Sequence, residues 1–245
     1  MTNPVALATS VWGNGPRRAL LLHGLTSAGS TWWRVSEALA GAGFTVVAPD
    51  LRAHGKSPAG DNVSIESHRD DVLLLGGGWD LLVGHSLGGA IAASAVAASP
   101  EFAARVVLED PAIDSSATAD FIAGSPKLPV HPTKASVAAE YPDWDPRDVE
   151  LKVEALLACG PHIIERTMED ASPWDIWPDI LNTPVPTMIL AADAGLESLI
   201  SAEKEREVRA TAGHLHFERI AGAGHSIHRD ALPAFMVALV EFIGE

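Results

Sequence analysis

The chain is short of cysteine, of basic residues and of long apolar runs. Cys159 is the one thiol in 245 residues, which excludes an intrachain disulfide and a cysteine-built metal cluster. Lysine and arginine number 17 against 32 acidic residues, for a formal charge of −15. Nucleic acid and anionic membrane both demand a basic footprint, so neither is expected as a partner. No uninterrupted apolar stretch approaches membrane-spanning length. Met1 to Trp12 carry neither the basic start nor the apolar run of a signal peptide, and a cytoplasmic location is expected. What remains, 47% hydrophobic and 20% charged, describes an ordinary globule with one large core.

Short apolar runs alternate with helical spacing along most of the chain. Ala19–Leu22, Phe44–Ala48, Trp79–Val83, Arg105–Leu108, Thr187–Ala191 and Phe217–Ile220 read as buried strands. Ser30–Ala42, Ser64–Leu75, Leu87–Ser99 and Leu232–Ile243 read as helices. Continuous apolar strands that alternate with helices predict an α/β fold with a doubly wound, mostly parallel sheet. Ligands of such sheets bind beyond the strand carboxyl ends, where His23, Ser86 and Asp110 fall. The segment 113–186 differs. It reads as short helices without a strand, and eleven of the 17 prolines lie between Pro111 and Pro186. The expected organisation is a core of 1–112 and 187–245 with 113–186 inserted as a helical lid over the binding edge.

Gly84-His85-Ser86-Leu87-Gly88-Gly89 sits between a strand and a helix, the setting of a nucleophile elbow. A serine on that turn takes a strained conformation, and its glycine neighbours permit close backbone approach. A serine nucleophile needs a base. His225, in a glycine-rich loop between a strand and the final helix, is preferred over His228. Several residues read as structural. Among them are His54, the Asp50–Ser57 turn and the solvated Glu203–Arg209 charge run. His214 and His216 have no further ligand at metal spacing, and no metal or cofactor is expected. Trp32 and Trp33 read equally as pocket lining and as helix packing.

The elbow, the His23-Gly24 turn, Pro49-Asp50-Leu51-Arg52-Ala53-His54-Gly55-Lys56-Ser57 and Gly222-Ala223-Gly224-His225 together resemble the α/β-hydrolase superfamily. The resemblance implies a serine hydrolase in which Ser86 attacks and His225 carries the proton. It also implies an oxyanion hole from the Leu25 and Leu87 backbone amides. The third member of the triad departs from the commonest pattern, because Gly195 stands where the usual acid would fall. A recurring alternative in the superfamily carries the acid one strand earlier, where Asp110 fits the register best. Asp193 and Glu109 remain alternatives. The expected substrate is a small to medium hydrophobic carboxylic ester or lactone. Carbon–carbon bond hydrolysis, cofactor-free acyl transfer or perhydrolysis, and a ligand receptor on the same fold are the other readings.

Overall fold

A computed structural model describes residues 3–125, 131–159, 162–211 and 213–244. Its sheet has seven strands: β1 (Thr9–Trp12), β2 (Arg17–Leu22), β3 (Phe44–Pro49), β4 (Leu81–His85), β5 (Val106–Glu109), β6 (Thr187–Ala191) and β7 (Leu215–Arg219). They lie in the order β1-β3-β2-β4-β5-β6-β7. All pairs are parallel except β1 with β3. β4, β5, β6 and the last four residues of β2 are buried, which is why each reads as an apolar run rather than an alternation.

Helices cover both faces. α1 (Trp33–Gly41) and α11 (Leu232–Gly244) pack on one side, where Trp32, Val35, Leu39, Phe235 and Leu239 meet the apolar side chains of β2, β3 and β4. α2 (Ile65–Leu73) and α3 (Leu87–Ala98) pack on the other, where Val72, Ile91 and Val96 meet Leu20, Leu82 and Leu108. α3 is the best buried helix, with ten of its twelve residues in the core. Its alanines and glycines bring its axis close to the sheet, and that closeness seats the turn before it.

The chain between β5 and β6 folds as α4 (Ser115–Gly124), α5 (Lys134–Glu140), α6 (Pro146–Cys159), α7 (Ile163–Ala171) and α8 (Trp177–Asn182). Positions 126–130, 160 and 161 of this insertion lie outside the described residues. Its two ends clasp one another through an Asp114–Asp175 bridge, and the Trp174 indole N–H donates to Ala112 O at 3.1 Å. It docks on the rest of the chain through Trp33 Nε1 to Asp148 Oδ1 (2.8 Å) and Trp144 Nε1 to Asp230 Oδ1 (2.6 Å). α9 (Ala202–Ala210) and α10 (Ile227–Asp230) complete the α-helices that are described.

Two elements depart from expectation. β1 is an antiparallel edge strand whose residues are only partly covered, so it carries no apolar run. The Glu203–Arg209 charge run is solvated as expected, yet it is helical. Ser201 caps α9 and only Val208 is buried.

Candidate active site

β4 runs into α3 through Ser86, whose φ of 53° and ψ of −117° lie outside the regions open to most residues. The strain persists because the surroundings leave no room to relax it. A Cβ on Gly84 would stand 2.3 Å from Gly88 O, and one on Gly88 would stand 2.3 Å from Leu22 O. Backbone bonds from Ser86 N to Glu109 O (2.9 Å) and from Ala112 N to Ser86 O (3.0 Å) tie the turn to the end of β5.

Gly24 lies directly against this elbow, where a Cβ would meet Ser86 Cβ at 3.0 Å. Two buried imidazoles brace the loop that follows it. His23 donates from Nδ1 to Gly24 O (2.8 Å) and accepts the Leu51 amide at Nε2 (2.9 Å). His54 donates from Nδ1 to Arg52 O (2.9 Å) and accepts the Thr26 amide at Nε2 (3.3 Å). Burial holds His23 well below its ordinary pKa and takes His54 down to about 4, so both stay neutral and keep these roles. Thr26 is thereby fixed at a φ of 59°. Neither the Leu25 nor the Leu87 amide has an acceptor among the described residues. Both residues line the same cavity as Ser86, so two free N–H donors flank the elbow.

His225 comes from the loop between β7 and α10. Its Nδ1 donates to Asp110 Oδ2 at 2.7 Å. Its carbonyl accepts a 3.0 Å bond from Nε2 of His85, the residue before Ser86. Phe121 of α4 covers the His225 ring at 4.6 Å between centroids. Asp110 is fully buried and sits at a φ of 36°. Its remaining lone pairs accept the Ala192 amide (3.2 Å), the Ser198 hydroxyl (2.8 Å) and the Leu199 amide (3.0 Å). Four donors converge on this one carboxylate and lock its orientation.

The other two acids are engaged elsewhere. Asp193 accepts the Gly195 amide at 2.8 Å and the Gly222 amide at 2.7 Å, and these bonds lower its pKa. It thus shapes the turn leading to His225 and does not contact the ring. Glu109 is buried against His228, whose amide and Nδ1 both lie 2.8 Å from Oε1. Burial raises Glu109 to about 8 and holds His228 well below the ordinary histidine value. His228 stacks on Trp32 at 4.2 Å and is turned into the core. Neither Trp32 nor Trp33 lines the cavity. Trp32 packs against His228, and Trp33 holds Asp148 of α6.

A cavity of about 940 Å³ is lined by Ser86, His225 and residues of the insertion. Leu25, Phe121, Leu156, Met168 and Trp174 supply apolar walls. Four residues of the site were not legible in the sequence. Ser198 and Leu199 support Asp110 from an irregular loop with no motif. Lys152 and Arg229, both buried, also line the cavity. Their burial is tertiary and leaves no local sequence mark.

Residues 19–238 match the model of the alpha/beta hydrolase family. Lipase LipV of Mycobacterium tuberculosis is 32% identical over 160 residues, which cover 61% of this chain and 60% of LipV. N-formylmaleamate deformylase of Pseudomonas putida is 25% identical across 95% of this chain and 90% of its own length. Among solved structures, E-2-(acetamidomethylene)succinate hydrolase superposes with a TM-score of 0.81 at 23% identity, covering 98% of this chain and 96% of that one. The enol-lactonase of Burkholderia xenovorans superposes with a TM-score of 0.77 at 20% identity, covering 98% and 97%. The elbow, the parallel sheet and a family match spanning most of the chain agree: this protein belongs to the alpha/beta hydrolase family.

Proposed function

We propose that this protein is a serine hydrolase that cleaves a carboxylic ester or lactone through an acyl-enzyme, with Ser86, His225 and Asp110 as its triad. Ser86 Oγ attacks the carbonyl carbon while its proton passes to His225 Nε2. The Leu25 and Leu87 amides receive the developing oxyanion, and fixed donors stabilise charge that appears only there. Collapse of the tetrahedral intermediate breaks the ester C–O bond, and His225 returns the proton to the departing alkoxide. Water, activated by the same imidazole, then releases the acid and restores Ser86. Asp110 keeps the proton of neutral His225 on Nδ1, leaving Nε2 free to accept. The helices of 113–186 serve as a lid on the core of 1–112 and 187–245, excluding water from the acyl-enzyme.

One observation carries this reading: the 2.7 Å bond from His225 Nδ1 to Asp110, at the wall of the cavity onto which Ser86 opens. The activities named for two similar proteins, a lipase and an enol-lactonase, agree with acyl transfer to water. The test is a panel of p-nitrophenyl esters of graded chain length beside several lactones, with a fluorophosphonate added in parallel. Turnover of at least one ester or lactone, abolished by a phosphonate adduct on the Ser86 peptide, is the expected result. Turnover that survives complete labelling of Ser86 would overturn it.

A further inference from the structure

We infer that Lys152 and Arg229 form a carboxylate-binding subsite beside the oxyanion loop, so that the substrate carries an anionic group a few bonds from its scissile carbonyl. The inference rests on the hydrolase reading of Ser86 and narrows its substrate class. Both side chains line the cavity, yet Lys152 is only 8% exposed and Arg229 only 6%. Neither forms an ion pair with a carboxylate among the described residues. Buried cations are ordinarily paired, because an isolated charge away from water is costly.

The partners they do have point to the same place. Lys152 Nζ spends two of its three protons on Thr26 O (3.0 Å) and Thr26 Oγ1 (2.9 Å). Arg229 donates from Nη2 to Ser27 Oγ (3.2 Å) and lies over the Trp144 ring at 4.7 Å, while its buried Nε has no partner. Thr26 and Ser27 directly follow Leu25. Consecutive Cα atoms are about 3.8 Å apart, so an anion held by these two cations stands a short chain from a carbonyl held at Leu25.

The acids nearby act on the pair only through space, Asp148, Glu109 and Asp230 on Arg229 and Glu140 on Lys152, and among the described residues none touches either cation directly. Glu109 is bound to His228, and Asp148 gives Oδ1 to Trp33 with Arg34 at 3.5 Å from Oδ2. Asp230 gives Oδ1 to Trp144 at the rim, and Glu165 and Glu197 are exposed at the mouth. The cavity therefore has apolar walls, with Lys152 and Arg229 at the oxyanion-loop end and Glu140, Glu165, Glu197 and Asp230 elsewhere on its lining. A wholly apolar ester would fill the walls and leave the Lys152 and Arg229 donors without an anion. An ester or lactone bearing a carboxylate satisfies both. Planar guanidinium and ammonium donors suit a carboxylate well.

Two matched substrate pairs test this. Mono-p-nitrophenyl glutarate and its methyl ester differ by one acyl-side charge, and butyryl glycolate and its methyl ester differ by one alcohol-side charge. The readout is the charged-to-neutral ratio of kcat/KM in wild type, Lys152→Met, Arg229→Met and Lys152→Arg. Wild type should favour the charged member of at least one pair. Each methionine variant should reduce that ratio by about 30-fold, the size of a lost charge-assisted hydrogen bond, mainly through KM. Lys152→Arg should retain it. A wild-type ratio near one in both pairs, or a ratio unmoved in both methionine variants, overturns the subsite. Calorimetric titration of Ser86→Ala with monomethyl and dimethyl glutarate reads the same subsite without turnover. Preference for the monoester, lost with Lys152→Met, supports it even where wild type cleaves nothing and the hydrolase reading fails. Equal binding of the two overturns it.

Discussion

At the scale of single residues the site is a set of polar groups whose partners assign their roles. Asp110 receives four donors, His225 among them, whereas Asp193 receives the Gly195 amide of its own turn and the Gly222 amide of the loop before His225. Asp110→Asn should therefore lower kcat by on the order of 10³, because an amide cannot hold the imidazole in the accepting tautomer. Asp193→Asn should cost less than about 10-fold, the size of a lost exposed hydrogen bond acting through loop position. Steady-state kinetics of the two variants read this, and the reverse ranking would hand the role to Asp193. Lys152 carries a second prediction at this scale. Burial, then the neighbouring Arg229, bring it down to about 7, while Cys159 and Glu140 oppose them. A carboxylate beside Nζ favours the charged form, so binding takes up a proton. Affinity of monomethyl glutarate for the Ser86→Ala protein should be full below pH of about 7 and fall as pH rises above it. Lys152→Arg, charged throughout, should flatten that limb; an equally steep fall in it would contradict the assignment.

At the scale of elements, function depends on how closely α3 and the loop after β2 approach. Gly88 has no space for a methyl group, since its Cβ would lie 2.3 Å from Leu22 O and 2.6 Å from His23 O. Both contacts are backbone, so no rotamer change relieves them. Gly88→Ala should cost about 3 kcal/mol or more and lower the thermal midpoint by roughly 10 °C, read by calorimetry. An unchanged midpoint would mean that β2 and α3 separate freely. Elements were legible in the sequence where burial is continuous. Thr187–Ala191 is an apolar run in the sequence and β6 in the fold, with the same ends. β1 escaped because its residues alternate between exposed and half-buried, and pairing with β3 is what makes it a strand. α8 and α10 are too short to show a helical period, at six and four residues.

At the scale of the whole molecule, the site draws on the ends of β2, β4, β5 and β7, separated by up to the length of the chain. Ser86 and His225 were legible because glycines and strand ends bracket them. The choice among Asp110, Asp193 and Glu109 was not legible, because a carboxylate at any strand end satisfies the chemistry. Only contact geometry separates the three. Lys152 was equally hidden: a lysine on a helix reads as solvated until the fold buries it under Thr26. The apolar residues of 113–186 suggested a hydrophobic substrate, and the subsite proposed at Lys152 and Arg229 changes that expectation to an amphiphilic one. The proposed chemistry begins at Ser86, and the rate of its alanine variant on the best ester of the panel tests that assignment most directly. A fall in kcat of at least about 10⁴ with an unchanged circular dichroism spectrum is predicted. A variant that turns over within about 10-fold of wild type would contradict the account, since that residual rate exceeds what the oxyanion donors and binding alone supply.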